Sequence, residues 1–279
     1  MTISIIKKEA KSYLKENWIK SFIFVFIFFL TQLAISILIS LMIQNTPYIL
    51  LGNIIYIMLS ISLSYGLTCS LIQIKRKEKC NPLHIFYFTF KNFDKFWRLI
   101  GRLAFSLSFY ILASILCLYL IIYSYVLFIN GIAGLDISFI LGIIGSIAFS
   151  ILLTLKSLYY ILNNFILFDN NTLSSKEILL ESKRLMTKHR WDFFRLILSF
   201  AGWFILSILF IVGLFFLFAH FNIIVSISYI AVIPMIFIIP YITVSMVCFY
   251  ENLLKISPKQ ESETNNYNNK RKKNKKIKK

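Results

Sequence analysis

Apolar residues run almost unbroken through three stretches of the chain, residues 21–74, 103–155 and 196–250, with polar residues gathered between them. The first stretch holds no Asp, Glu, Lys or Arg, the second only Asp136, and the third only His220 as a group that titrates near neutral pH. Their lengths are 54, 53 and 55 residues. A hydrocarbon core about 30 Å thick is crossed by roughly 20 helical residues, so each stretch fits two crossings and a turn. Turn formers stand near the middle of each: Gln44 to Pro47, Asn130 to Asp136 with Gly131 and Gly134, and His220 to Asn222. The pattern predicts an all-α integral membrane protein of six transmembrane helices in three hairpins, near residues 20–43, 48–74, 103–129, 137–160, 195–218 and 223–249. A transmembrane β-barrel is excluded, because its strands read as short alternating segments.

Each hairpin has a lead-in ending in tryptophan: Lys15-Glu16-Asn17-Trp18, Lys95-Phe96-Trp97-Arg98 and Lys188-His189-Arg190-Trp191. The second lead-in places Phe86, Phe90, Phe93 and Trp97 at helical spacing, with Asn81 and Pro82 suited to its N-cap and first turn. In the first, Ile3, Ile6, Ala10 and Tyr13 recur more loosely, and the third opens on Ser174 and Glu177 at capping-box spacing. These lead-ins are expected to be amphipathic interfacial helices, lying along the inner headgroup region with apolar faces toward lipid. Interface anchoring accounts for the three tryptophans more simply than an aromatic ligand box does. The recurring unit is compatible with an ancestral triplication or with convergence on a common entry signal.

Charge supplies the orientation. The 30 Lys and Arg against 12 Asp and Glu give a net +18, and their distribution is what matters. Five basic residues precede the first stretch, 8 and 7 fill the two intervals, 10 follow the last, and the hairpin turns contain none. Short cytoplasmic loops retain Lys and Arg, so both termini are expected in the cytoplasm of a cell with a multi-pass protein in its cytoplasmic membrane. Nucleic acid is not an expected partner, since it calls for cations spread over a polar folded surface. Membrane lipids with anionic headgroups are the expected partners at the basic face, with other membrane proteins as further candidates. Residues 1–258 form the polytopic domain, and 259–279, with nine basic and two acidic residues, read as a disordered polybasic tail. The N-terminal apolar segment is too long for a cleavable signal and is expected to remain as the first span.

Candidate chemistry is sparse. Cys69, Cys80, Cys117 and Cys248 have no zinc-ligand or disulfide-framework spacing. His84 and His189 fall on the predicted cytoplasmic side and His220 outside, so no shared metal site follows, and no nucleophile motif or phosphate loop is present. Catalytic, cofactor-binding and metal residues are therefore all read as none. Lys156, near the end of the fourth span, can snorkel to the interface. Gln32, Ser36, Ser40 and Gln44 form a polar stripe on the first helix, read as interhelical packing with Ser60, Ser64 and Thr68 or, alternatively, as a solute path. Pro234 and Pro240 should kink the sixth helix, a feature of transporters and of many other membrane helices.

Asp169-Asn170, Glu181-Ser182, Met186, His189-Arg190-Trp191-Asp192, Ser199-Phe200, Gly202-Trp203, Pro240-Tyr241 and Phe249-Tyr250-Glu251 form a pattern that reaches back to Pro82, Phe86, Phe90-Lys91 and Phe93. In these residues the chain resembles the bacterial multi-pass membrane family called domain of unknown function 975. That family commonly has Pro-Gly before the lysine matched by Lys156, where this chain has Leu153 and Thr154. The resemblance implies a several-span bacterial membrane protein and transfers no functional residue; heavy Ile, Lys and Asn usage suggests a low-GC Gram-positive source. The expected function is a non-catalytic polytopic membrane protein acting through lipid or membrane-protein contacts. The alternatives are a permease or export-system component and a lipid-modifying membrane enzyme.

Overall fold

The computed structural model describes residues 2–43, 49–130, 137–220 and 227–256. The turn residues Gln44 to Pro47, 131–136 and 221–222, and the tail 259–279, lie outside that range. Ten α-helices are described: α1 (Ile3–Ile43), α2 (Ile49–Lys75), α3 (His84–Lys91), α4 (Phe93–Ile129), α5 (Ile137–Ser157), α6 (Asn163–Asp169), α7 (Ser175–Met186), α8 (Arg190–Leu198), α9 (Ala201–His220) and α10 (Ile227–Ile256). Among the described residues there is no strand, and six helices are long and apolar enough to cross a membrane. Two reach further than composition suggested: α1 carries the first lead-in with it, bent at Asn17 (φ −125°, ψ 20°), and α4 begins at Phe93. The third lead-in is divided instead, α8 ending before the buried Phe200 and α9 starting at Ala201.

Helix α1 packs on α2 and α10, α4 on α5, α9 on α10, α2 on α3, and α4 on α7. Where α2 crosses α3 the backbones nearly touch. A Cβ on Gly66 would stand 2.3 Å from both the Ile85 carbonyl oxygen and the Thr89 hydroxyl, so only glycine admits this crossing. Thr89 completes it: its hydroxyl donates across to the Ser62 carbonyl of α2 at 3.3 Å and shares that proton with the Ile85 carbonyl of its own helix at 2.8 Å.

The main hydrophobic core gathers the lead-ins, α6 and the C-terminal parts of α2 and α10. Ile6, Ala10 and Leu14 of α1 are at most 3% exposed, and Ile178, Ser182 and Met186 of α7 are fully buried. The apolar faces predicted to lie on lipid are thus turned onto one another and onto the span ends. Periodicity identifies an apolar face without saying whether protein or acyl chains cover it. In the middle lead-in the covered face is itself different: Ile85, Phe88, Thr89 and Phe96 are buried, while Phe90 is 62% exposed. This helix starts at His84, and Asn81 contributes its carbonyl to the His84 N–H (2.9 Å) in place of a side-chain cap. The third lead-in matches its expected start, since Ser174 and Glu177 form both bonds of the capping box. A smaller core joins α1, α2, α3 and α10 around Phe24, Leu67, Leu71 and Ile236.

Candidate functional site

Charged side chains from four separate parts of the chain meet at the shared end of this core. Helix α2 finishes in a tight cap: Glu78 N–H reaches the Gln73 carbonyl (3.0 Å), and Lys77 adopts a left-handed conformation (φ 60°). This is the position where glycine is usual. The cap presents Lys75 and Arg76 to the neighbouring helix ends. Lys75 has a side chain only 3% exposed, pairs with Glu251 of α10, and lies 3.9 Å from Glu9 of α1. Arg76 forks onto Asp169 at the end of α6, with N–O distances of 2.6 and 3.1 Å, and reaches Glu251 at 3.4 Å. Asn252 closes the circuit by donating to Glu9 at 3.4 Å.

Aromatic rings line the charges. The Lys75 ammonium lies 5.1 Å from the Tyr13 ring centre, the Arg76 guanidinium 5.7 Å from that of Phe168, and Tyr250 stacks on Phe165 at 5.5 Å. The Asp169 hydrogen bonds raise the Arg76 pKa above its ordinary value, so the fork keeps its charge at any working pH. Each carboxylate of the group faces a cation, and each cation faces carboxylates from different segments. Chemically this is a clamp. It ties α1, α2, α6 and α10 together at the level where the apolar runs end.

A second set of polar contacts surrounds it. Ser182 donates to the Tyr159 carbonyl at 2.9 Å, and Arg190 donates to the Tyr159 hydroxyl at 2.5 Å. Lys7 donates to the Ser199 carbonyl at 3.1 Å and covers the Phe200 ring at 4.5 Å, which holds the corner between α8 and α9. Phe200 in turn meets Tyr241 edge-on, and Phe193 meets Phe249. Asp169, Ser182, Arg190, Phe200, Tyr241 and Glu251, all among the residues that carry the family pattern, therefore converge on one end of the molecule. Residues 1–257 match the family described as protein of unknown function (DUF975). The chain belongs to this family. No curated protein and no solved structure matches it.

In this DUF975 protein the polar stripe is split. Gln32 is buried and accepts from Ser60 at 2.7 Å, which is the packing contact expected of it. Ser36 and Ser40 are exposed on the outside of α1, and Gln44 lies outside the described residues. Ser64 and Thr68 do not answer the stripe, because their hydroxyls donate to the Ile61 and Ser64 carbonyls of their own helix. Lys156 is exposed at the end of α5, 5.9 Å from the Tyr110 ring centre. Trp97 donates to Ser62 at 3.0 Å, whereas Trp18 and Trp191 are 37% and 52% exposed. His84 pairs with Gln73 and His189 with Asp192, each at 3.3 Å, and the His220 side chain falls outside the described residues. Among the described residues, no group of three His, Cys, Asp or Glu could hold a metal.

The clamp was not foreseen from the sequence. Lys75 and Arg76 read as ordinary flanking cations, and their partners lie up to 176 residues away. One signal was present: Glu251 is an acid directly after the third apolar run, at a border otherwise occupied by Lys and Arg.

Proposed function

We propose that this is a non-catalytic protein of a bacterial cytoplasmic membrane, crossing it as three hairpins with both termini inside. On this reading it acts through contacts with anionic lipid headgroups and neighbouring membrane proteins. The observation that carries the proposal is the placement of positive charge relative to the six apolar helices. None of the 30 Lys and Arg falls between α1 and α2, α4 and α5, or α9 and α10. A one-sided cationic face is what an anionic leaflet attracts, at about 1 kcal/mol per residue near the surface. Lys8 and Lys11 on α1 and Lys176 and Lys183 on α7 are exposed on helices whose other faces enter the core, so they are available to headgroups. The outer faces of the apolar helices suit acyl chains, with Leu50, Phe105 and Ile137 all more than 70% exposed.

Cysteine labelling of intact cells tests the arrangement. A probe at Asn45, Asn130 or Asn222 should react with a membrane-impermeant reagent, and one at Asn170 or Asn265 should react only after lysis. Labelling at Asn170 from outside refutes the orientation and with it the lipid-facing role of the basic residues. Solute uptake into proteoliposomes that is lost on Gln32→Leu with Ser36→Leu would instead establish a permease.

A further inference from the structure

Between α1, α9 and α10 the surface opens into a groove. Its wider part is a cavity of about 710 Å³ bordered by Lys11, Lys15 and Trp18 on one side and Trp203, Phe237 and Tyr241 on the other. A second cavity of about 600 Å³ shares Trp203 and Phe237 with the first and continues past Phe210 to Pro234. The two form one channel along the α9–α10 seam. From Tyr241 to Pro234 it follows α10 for seven residues, about 10 Å of helix, which is roughly two-thirds of the apolar thickness of one leaflet.

Polarity is confined to one end. Lys11 and Lys15 stand one turn apart on the same face of α1, and both are exposed. Among the described residues neither has an acidic partner: Glu9 is held by Lys75 and Asn252, and Glu16 faces Lys77 at 3.6 Å. Lys7, one turn earlier, is already engaged with Ser199 and Phe200. Among the described residues, the indole N–H of Trp18 and that of Trp203 meet no protein acceptor. The mouth thus offers two unneutralised ammoniums and two N–H donors above an apolar channel. Those features complement a phosphate diester attached to an acyl chain.

We propose that the groove binds one anionic phospholipid of the inner leaflet, its phosphate at Lys11 and Lys15 and an acyl chain between α9 and α10. This rests on the lipid-facing reading above and narrows it to one site. It explains why the lead-in helix leaves these two cations free while committing its acids elsewhere. A membrane-protein helix in the same seam carries mostly Lys and Arg at its cytoplasmic flank, which would repel Lys11 and Lys15, so lipid is the occupant the charge pattern selects.

Tryptophan quenching by brominated lipids tests the proposal with the full chain in vesicles. A variant retaining both groove tryptophans, Trp18 and Trp203 (Trp97→Phe, Trp191→Phe), is compared in phosphatidylcholine vesicles doped with equal minor fractions of brominated phosphatidylglycerol or brominated phosphatidylcholine. Two lysines at about fivefold each predict roughly a 25-fold preference for the anionic lipid at the groove tryptophans. Lys11→Gln with Lys15→Gln should abolish that preference, while Lys8→Gln with Lys20→Gln should leave it intact. A second variant retaining only Trp191 reports the basic face away from the groove. Equal quenching of the groove tryptophans by both lipids, a preference untouched by the Lys11 and Lys15 changes, or no quenching at all overturns the groove site. Should Trp191 still favour the anionic lipid in that case, the general reading stands and only the site fails; should neither variant favour it, both fail. Unchanged protection of the buried Cys69 thiol confirms that each variant is folded.

Discussion

Replacing Asp169 by Asn leaves the Arg76 guanidinium facing only Glu251, at 3.4 Å, where it had two bonds of 2.6 and 3.1 Å. The side chains of Arg76 and Asp169 are 28% and 17% exposed, which places the pair between two limits. Exposed pairs contribute about 0–1 kcal/mol, and breaking a fully buried one costs about 3–5 kcal/mol. Partial solvent screening and the remaining Glu251 contact bring the expected loss to about 2 kcal/mol. For a chain of this size that is a midpoint decrease of roughly 4–8 °C. Cys69 and Cys248 are buried beside the clamp, so thermal exposure of their thiols to a fluorogenic maleimide in detergent reads the unfolding. Background from Cys80 is low at neutral pH, because burial pushes that thiol up to about 11. The decisive comparison is a double-mutant cycle. If Arg76→Gln and Asp169→Asn act through their shared contact, the double variant loses about 1–2 kcal/mol less than the two losses added together. Strict additivity, or a midpoint change below about 1 °C for Asp169→Asn, would show that the pair does not hold the helix ends.

Four further outcomes follow from local geometry. Gly66→Ala drives a methyl into the Ile85 carbonyl and should cost about 2–3 kcal/mol in the same assay, whereas Gly101→Ala, with nothing within 4 Å, should be neutral or slightly stabilising. Lys77→Gly relieves the left-handed residue after α2 and should raise stability by about 0.5–1 kcal/mol, since only a 67% exposed pair with Glu16 is lost. The Ser174 backbone N–H holds the Glu177 carboxyl below the ordinary carboxylate range. Its support for α7 is therefore full above the ordinary value and fades as pH falls through the lowered one; hydrogen exchange of α7 amides should show that fade in the native chain and not in Glu177→Gln. Alkylation of Cys80 should stay slow at pH 8 and rise steeply toward pH 11, and a thiol already fully reactive at pH 8 would contradict its burial.

Much of the architecture was legible because lipid solubility is a property of composition. A run of 54 residues without a charge constrains the chain whatever it packs against, and the cap formed by Ser174 and Glu177 is equally local. What could not be read is partnership. Ile6 and Ala10 mark an apolar face in any setting, and their burial in protein depends on where α10 and α8 arrive. The clamp is the extreme case, since Lys75 and Arg76 carry no local mark that distinguishes them from Lys77 and Lys79. The groove was hidden for the same reason: Trp203 and Tyr241 belong to different helices, and the cavity exists only where they face Lys11 and Lys15.

The distance along the chain between Lys75 and Glu251 has a consequence for biosynthesis. At about 5–20 residues per second, the 176 residues separating them take the ribosome roughly 10–35 seconds to add. Throughout that interval the second helix is complete while its terminal ammonium awaits the Glu251 carboxylate. The nascent protein thus passes through a long stage in which Lys75 has only the more distant Glu9 to face, and the tie between the two ends of the chain is the last part of the fold to close.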